Sequence, residues 1–387
     1  MTAKIVLKEF KKGELFMTGN MFENIYRVRS NVFGTKYENE LSEVYTEIQN
    51  CINNNSMPQS PRFIMFKVID RCNSGCIYCG YAKQNHVNDK LTNLKKLNTQ
   101  ELISVFDQAA DIGVDAVALN GGEPLLRDDI SRLVSALYKR KILPILMTNG
   151  VLLERKWDEL GASGLKYIIM SMDSLNAEHY EFQRGIEFSA AMRGISAALA
   201  MRKKYGNVMI HLTTVLTKYN LHDIIPLLEF CNENQIWLEI SVYDTYGMTE
   251  DVLSVDEKDS LNNLVKKLLD MKKNGAYLSS SEEYIRHLPD FCINHERIPK
   301  GYSCYSGYGI LLLDNNLDAR PCWGIKVGNV GNLSDETLTN IWKNNRMNYY
   351  RTEMLNGRCG GCWNLCTEFN SMIKAIRNRS KNNEWKI

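Results

Sequence analysis

This chain of 387 residues has no surplus of charge of either sign: 47 Lys and Arg stand against 45 Asp and Glu, a net charge of +2. That balance excludes the broad basic surface that nucleic acid or an anionic membrane would call for. Long apolar runs are missing too. The longest, such as Ile310-Leu311-Leu312-Leu313, fall far short of a bilayer span. The opening Met1-Thr2-Ala3-Lys4-Ile5-Val6 lacks the apolar core of a secretion signal. The expectation is a cytoplasmic protein with no nucleic-acid or membrane partner. Cysteine, in contrast, is plentiful at 11 residues. A reducing compartment keeps thiols available as metal ligands and discourages disulfides. Cys51, Cys231 and Cys292 lie apart; the others fall into two groups, Cys72 to Cys79 and Cys304 to Cys366.

The first group follows the apolar run Phe63–Ile69, and its three thiols, Cys72, Cys76 and Cys79, share one short loop. Neighbours this close rarely meet disulfide geometry without strain, so the spacing suits a metal cluster. A [4Fe–4S] cube normally takes four cysteines. Three on one loop leave one iron open to a substrate. Zinc is the alternative, although zinc sites usually complete four protein ligands, often as paired C-x2-C knuckles.

Between residues 62 and 245 apolar runs alternate with amphipathic segments. Strands are predicted at Phe63–Ile69, Ala116–Leu119, Pro144–Met147, Tyr167–Ser171, Met209–Leu216 and Leu238–Val242. Helices between them include one from Thr99, as N-cap, to Ile112 and one through Asp129–Arg140. Strands alternating with helices imply a parallel sheet with right-handed crossovers. Three strand ends carry polar motifs. Asn120-Gly121-Gly122-Glu123-Pro124 follows the second strand: its glycines allow the backbone close to a ligand, and its carboxylate can accept from an ammonium. Thr148-Asn149-Gly150 ends the third and Ser171-Met172-Asp173 the fourth. Each alone is an ordinary turn, but together they ring one end of the sheet.

The C-x3-C-x2-C loop, with aromatic Tyr78 just before its last cysteine, and the Gly-Gly-Glu after the second strand resemble the S-adenosylmethionine (SAM) radical enzymes. That resemblance implies an α/β fold, a partial (β/α)6 TIM-like barrel. It implies that Cys72, Cys76 and Cys79 hold a [4Fe–4S] cluster whose open iron chelates the amino and carboxylate groups of SAM. An electron from the cluster would cleave SAM to a 5′-deoxyadenosyl radical that abstracts hydrogen from substrate, and a flavodoxin or ferredoxin would supply reducing equivalents. Gly121, Gly122 and Glu123 would hold the SAM amino group and Arg184 its carboxylate, which a guanidinium can bind bidentately. Asn149, Ser171 and Asp173 would serve the remaining polar groups, Asp173 the ribose, with Tyr78 and Val215 in the adenine pocket. No residue is assigned as catalytic acid or base.

The second cysteine group begins at Cys304. Ile310 to Cys322 reads as a strand, a tight turn at Asn315-Asn316 with left-handed geometry, and a returning strand. Ser334 is placed to cap a helix that turns Leu338 and Trp342 inward, before Cys359, Cys362 and Cys366. This region resembles the SPASM extension, or its shortened Twitch form. The full SPASM pattern has more cysteines, so one complete auxiliary [4Fe–4S] cluster is implied, held by Cys304, Cys322 and two or three of Cys359, Cys362 and Cys366, with Cys292 as a further candidate. A zinc ribbon would use the same ligands.

The expected organisation is a short N-terminal α+β extension over 1–61, the barrel over 62–245, a connector over 246–300 and the small iron–sulfur domain over 301–387. The extension would contain a hairpin around Thr18-Gly19-Asn20 and a helix from Glu40 to Ile52; peptide binding is one role for it. Three classes of function stay open. The first is a radical SAM enzyme that crosslinks, thioether-bridges, epimerises or oxidises a ribosomally made peptide. The second is the same chemistry on an aminosugar or nucleoside, and the third is a non-enzymatic cluster or zinc protein. The Gly-Gly-Glu motif argues against the third, because a carrier needs no SAM pocket; the peptide is favoured over the small molecule.

Metal content separates these readings. Two cubes give about eight irons per chain, whereas a zinc ribbon beside one cube gives about four irons and one zinc. Elemental analysis of anaerobically reconstituted protein should return about eight, and replacing Cys72, Cys76 and Cys79 with alanine should leave about four.

Overall fold

Alternation of apolar strands and amphipathic helices produces one sheet wrapped by helices. The computed structural model describes residues 46–79, 97–206, 208–242, 253–293, 303–322, 327–359 and 362. Strands β1 (Phe63–Ile69), β2 (Ala116–Gly121), β3 (Leu143–Thr148), β4 (Tyr167–Ser171), β5 (Met209–Leu216) and β6 (Trp237–Val242) lie side by side in numerical order, all parallel. The crossovers carry α1 (Thr99–Asp111), α2 (Ile130–Lys139), α3 (Leu153–Ala162), α4 (Ala177–Arg184), α5 (Phe188–Tyr205) and α6 (Ile224–Asn234).

Both faces of the strands are covered, which is why they read as continuous apolar runs. Ile64, Phe66, Val117, Leu119, Leu146, Ile168 and Leu212 pack toward the helices. Phe63, Ala116, Ala118, Leu143, Ile145, Tyr167 and Ile169 pack on the opposite face, the lumen of the open barrel. Ile48 and Cys51, on a helix through residues 46–53, close the foot of that lumen with Tyr305 and Tyr308. The hairpin expected around Thr18-Gly19-Asn20 and the first part of the helix expected from Glu40 lie outside the described residues.

Local capping corrects one sequence expectation. Asn98, not Thr99, is the N-cap of α1: its side chain accepts from the Glu101 N–H at 3.0 Å, and the Glu101 carboxylate accepts from the Asn98 N–H at 2.8 Å. That reciprocal capping box fixes the start, because the glutamate lies three residues after Asn98. Thr99 instead donates to Asp129 at 2.6 Å.

The connector holds α7 (Lys258–Lys273), α8 (Glu282–Arg286) and α9 (Leu288–Cys292). Residues 277–280 run along the outer edge of β6. Leu238 N–H donates to Tyr277 O at 2.8 Å, Ser279 N–H to Leu238 O at 2.8 Å and Ile240 N–H to Ser280 Oγ at 3.1 Å, so the barrel's open edge is covered. Ser281 caps α8, accepting from Tyr284 N–H at 3.1 Å.

Beyond the connector, β7 (Ile310–Leu313) adds to the other edge, pairing in parallel with β1 from Phe63↔Ile310 to Phe66↔Leu313. β8 (Asp318–Arg320) and β9 (Gly331–Asn332) follow antiparallel, giving a nine-stranded sheet of order β6-β5-β4-β3-β2-β1-β7-β8-β9. The hairpin forms as read, but its left-handed residue is Leu317, at φ 65°, rather than Asn315 or Asn316. The reason is Asp314, whose carboxylate accepts from the N–H of Asn316 at 2.8 Å and of Asp318 at 3.1 Å and so shapes the turn. Thr337, not Ser334, caps α10 (Leu338–Lys343), which buries Leu338, Ile341 and Trp342; the Ser334 N–H donates to Asn332 Oδ1 at 2.7 Å. α11 (Asn345–Leu355) completes the chain of described elements, and among the described residues no helix is long and apolar enough to cross a membrane.

α5 packs backbone to backbone on the turn after β3. A Cβ at Gly194 would lie well inside contact distance of the Gly150 carbonyl. Gly194→Ala is therefore expected to lower stability by ~1–3 kcal/mol through overpacking, read as a reduced denaturation midpoint. An unchanged midpoint would mean that the helix can retreat from the turn without cost.

Candidate metal and cofactor site

The loop after β1 is fixed by its neighbours on three sides. On the first, the β1–β2 pairing continues beyond the strands: Gly122 N–H donates to Ile69 O and Glu123 N–H to Arg71 O, both at 2.8 Å. A Cβ at Gly121, whose φ is 147°, would overlap the Ile69 carbonyl, and one at Gly122 the Arg71 carbonyl. These glycines thus permit close approach to the chain leading into the cysteines.

Glu123 is 1% exposed. Its Oε1 accepts from Leu125 N–H at 2.9 Å and Thr148 Oγ1 at 2.7 Å, and its Oε2 from Asn149 N–H at 2.8 Å. Burial raises its pKa, against the lowering effect of the Asn149, Thr148 and Leu125 donors. The carboxylate ties the turn after β2 to the turn after β3. Asn149 then supplies the second side: its Nδ2 donates to Asn73 Oδ1 at 2.7 Å and to Ser74 Oγ at 2.9 Å, inside the cysteine loop.

The third side is α4. Gly75 N–H donates to Arg184 O and Ile77 N–H to Gln183 O, each at 3.0 Å, so both amides flanking Cys76 are tied to the last turn of that helix. Gly185 ends the helix in left-handed geometry, φ 64°, directly against Gly75. The side chain of Arg184 is buried and makes a bidentate pair with Asp173, Nε–Oδ2 2.6 Å and Nη2–Oδ1 3.0 Å. Its Nη1 lies 3.8 Å from Cys76 Sγ, and its guanidinium carbon 5.3 Å from the Tyr78 ring centroid. Asp173 is fully buried; it also accepts from the Tyr78 hydroxyl and, at 2.9 Å, from Val215 N–H. Tyr78, Asp173, Arg184 and Val215, which the sequence distributed over separate parts of one cofactor, thus converge on a single carboxylate. Ser171 lies at the end of β4 beside Thr213.

These surroundings fit the thiolate donor set of a cube. Burial raises the pKa of Cys72 and Cys76, and Arg184 opposes it at Cys76. Cys79 lies within electrostatic reach of both thiols. Among the described residues no three His, Cys, Asp or Glu side chains converge on a single ion; a cube instead takes one thiolate per iron. Of the second group, Cys304 is buried beside Ser306. The β7–β8 register Leu312↔Arg320, carried on by two residues, brings Cys322 opposite Ile310 at the same end of the hairpin. Arg351 Nε donates to Gly307 O at 2.8 Å and Leu355 packs with Tyr305 and Tyr308, so the segment to Cys359 and Cys362 starts beside Cys304. Cys366 lies outside the described residues.

Three polar lumen residues escaped the sequence reading, Lys67, His211 and Glu239, and a fourth, Asn120, was read only as the start of the Gly-Gly-Glu motif. All occupy inward positions of strands whose other inward residues are mostly apolar, and that break in the two-residue alternation was the available signal. Lys67 pairs with Asp70 at 2.5 Å, and Asp70 also accepts from Asn315 of the β7–β8 turn. His211 lies between the rings of Tyr167 and Trp237, centroids 5.0 and 6.3 Å away.

The turn after β2 supports the cysteine loop through backbone alone. Gly122→Ala should therefore displace Arg71 and cut the iron bound by the Cys72–Cys79 loop at least twofold, while iron bound by the C-terminal cysteines persists. Full iron retention would show that the loop does not depend on this contact.

Comparison with known proteins agrees with this geometry. The model of the radical SAM superfamily matches residues 66–231, and that of the iron–sulfur cluster-binding SPASM domain residues 304–363. GTP 3′,8-cyclase of Peptoclostridium acidaminophilum is 31% identical over 233 residues, 58% of this chain and 68% of that protein. The fold is similar to that of Streptococcus suis SuiB bound to S-adenosylmethionine, with TM-score 0.60, 21% identity, and coverage of 90% of this chain and 80% of that one. SuiB bound to precursor peptide SuiA gives TM-score 0.59 at 19% identity, with the same coverage. The anSMEcpe structure with bound AdoMet and Cp18Cys peptide gives TM-score 0.54 and 18% identity, covering 83% of this chain and all of that one. The cofactors that accompany these two domains are a SAM-binding [4Fe–4S] cluster and an auxiliary cluster. With its three-cysteine loop, the Gly-Gly-Glu turn and both domain matches, this chain belongs to the radical SAM superfamily and carries a SPASM iron–sulfur domain.

Proposed function

We propose that this protein modifies a ribosomally made peptide by hydrogen abstraction, forming a crosslink, thioether, epimer or oxidised residue. The bound cluster and SAM together supply the abstracting 5′-deoxyadenosyl radical. Cys72, Cys76 and Cys79 are the proposed ligands of the SAM-site cluster, with Cys304, Cys322, Cys359, Cys362 and Cys366 as the pool for the auxiliary one. Gly121, Gly122, Glu123, Asn149 and Ser171 form the polar rim against which the amino-acid end of SAM would lie, and Tyr78 and Val215 bound its other side. In this reading the barrel runs over 62–245 and the auxiliary domain over 301–387, joined by the connector at 246–300.

One observation carries the choice of substrate class. Among the described residues of β1–β6 that face the lumen, Lys67 is the single Lys or Arg, and Asp70 already neutralises it. A nucleoside triphosphate calls for several cationic donors, whereas a peptide needs polar and apolar surface of the kind offered by Asn120, Met65, Met147 and Met209. Likeness to the peptide-bound structures also extends over most of the chain. The second reading, a nucleotide substrate, is favoured by the 31% identity to a GTP 3′,8-cyclase.

Reconstituted protein given SAM and a low-potential reductant should release 5′-deoxyadenosine, and the Cys72, Cys76 and Cys79 triple-alanine variant should release none. Short peptides encoded beside its gene are the substrates to try, with mass spectrometry reading loss of two hydrogens, or deuterium uptake from solvent for epimerisation. Consumption of GTP with every such peptide unchanged would overturn the peptide reading.

A further inference from the structure

α4 presents Tyr180 and Arg184 four residues apart, so the two side chains share one helical face. Arg184 looks from that face onto Cys76. Arg184 Nε and Nη2 are taken by Asp173, and its Nη1 is turned to Cys76 Sγ at 3.8 Å. Asp173 is held on its far side by the Tyr78 hydroxyl and Val215 N–H. The pair is therefore an oriented dipole whose positive end meets the sulfur. Its placement is rigid, because the amides of Gly75 and Ile77, on either side of Cys76, bond to the carbonyls of Arg184 and Gln183. Tyr180 is fully buried, and its hydroxyl has no hydrogen-bond partner. Arg184, Asp173 and Cys76 all lie within electrostatic reach of that hydroxyl. A buried polar group left without a partner is costly, a cost that proteins tolerate where the group serves a bound species.

We propose that Arg184 is a positioning residue for the SAM-site cluster, its Nη1 donating toward the Cys76 side of the cube and making the reduced state easier to reach, with the buried Tyr180 hydroxyl on the same helical face as a secondary dipole. The proposal rests on Cys76 being a cluster ligand. Donors to cluster sulfurs and nearby positive charge stabilise the added electron, and low solvent exposure strengthens both effects. This gives Arg184 a part to play before SAM arrives. The bidentate pair with Asp173 fixes the guanidinium in place, and an arginine keeps its positive charge at any working pH.

The test is an EPR-monitored redox titration of SAM-free, reconstituted protein. It follows the signal that later addition of SAM perturbs, with the Cys72, Cys76 and Cys79 triple-alanine variant as the blank for the auxiliary cluster. At a fixed ambient potential Arg184→Gln should lower the reduced-to-oxidised ratio of that signal at least tenfold, a shift of about 59 mV for one electron. Tyr180→Phe, which removes only the hydroxyl, should lower it about twofold. A wild-type ratio in Arg184→Gln, with only SAM affinity reduced, would overturn the proposal and return the arginine to a purely SAM-binding part. If Arg184→Gln fails to hold its cluster, Tyr180→Phe decides, and a wild-type ratio there overturns the proposal equally. Should the triple-alanine blank retain the SAM-perturbed signal, the ligand assignment itself falls, an outcome distinct from either.

Discussion

One buried carboxylate organises the upper end of this barrel. Asp173 is withdrawn from solvent and accepts from the Arg184 guanidinium twice, from the Tyr78 hydroxyl and from the Val215 amide. Burying an ion pair costs several kcal/mol per ion in lost hydration, and the pair persists only where the remaining lone pairs and protons are also satisfied. Here they are satisfied by three parts of the chain that meet Asp173 just past β4: the end of α4, the end of β5 and the cysteine loop. What this arrangement contributes is location more than stability. The loop carrying Cys72, Cys76 and Cys79 is short and contains Gly75, so its own sequence dictates little of its shape. It takes that shape from the last turn of α4, through the amides of Gly75 and Ile77, and from Asn149, through Asn73 and Ser74.

Close backbone approach is the second constraint, and it explains which glycines matter. Gly122 lies on the Arg71 carbonyl, Gly194 on the Gly150 carbonyl and Gly185 on Gly75. Two of these contacts seat the cysteine loop directly and the third packs α5 on the turn after β3, so these segments stack without intervening side chains. Glu123 works in the same sense, since its carboxylate joins the turn after β2 to that after β3.

The strands and the motifs at their ends were legible in the sequence because both are local. A short continuous apolar run marks a strand covered on both faces; accordingly β1, β4 and β5 fall at the expected residues, and Gly-Gly-Glu, Thr-Asn-Gly and Ser-Met-Asp fall at strand ends as read. Choices between near-equivalent neighbours were not legible. Asn98 and Thr99 can both cap a helix, as can Ser334 and Thr337, and only the position of Glu101 or the pull of Asn332 on the Ser334 amide decides. Pairings across sequence distance were likewise hidden. Nothing local in the sequence says that Asp173 and Arg184 meet, and Asp70 gave no hint of Asn315.

That last contact bears on how the two cysteine groups depend on each other. β7 joins β1 in parallel, and the β7–β8 turn reaches back to Asp70, two residues before Cys72. Cys304 and Cys322 lie at the opposite end of the same strand pair. Seven residues of β1 span ~23 Å at the usual strand rise, so the hairpin runs the length of the lumen from its apolar foot to its polar mouth. A metal held at the foot by Cys304 and Cys322 would fix the hairpin in register, and the hairpin in turn holds β1 and Asp70. Parallel pairing between segments this far apart in sequence is costly to close by chain entropy alone. Cluster binding by the C-terminal cysteines, as proposed, would therefore help to set the strand from which the first cysteine loop departs, because the pairing that links the two groups is built into the sheet itself.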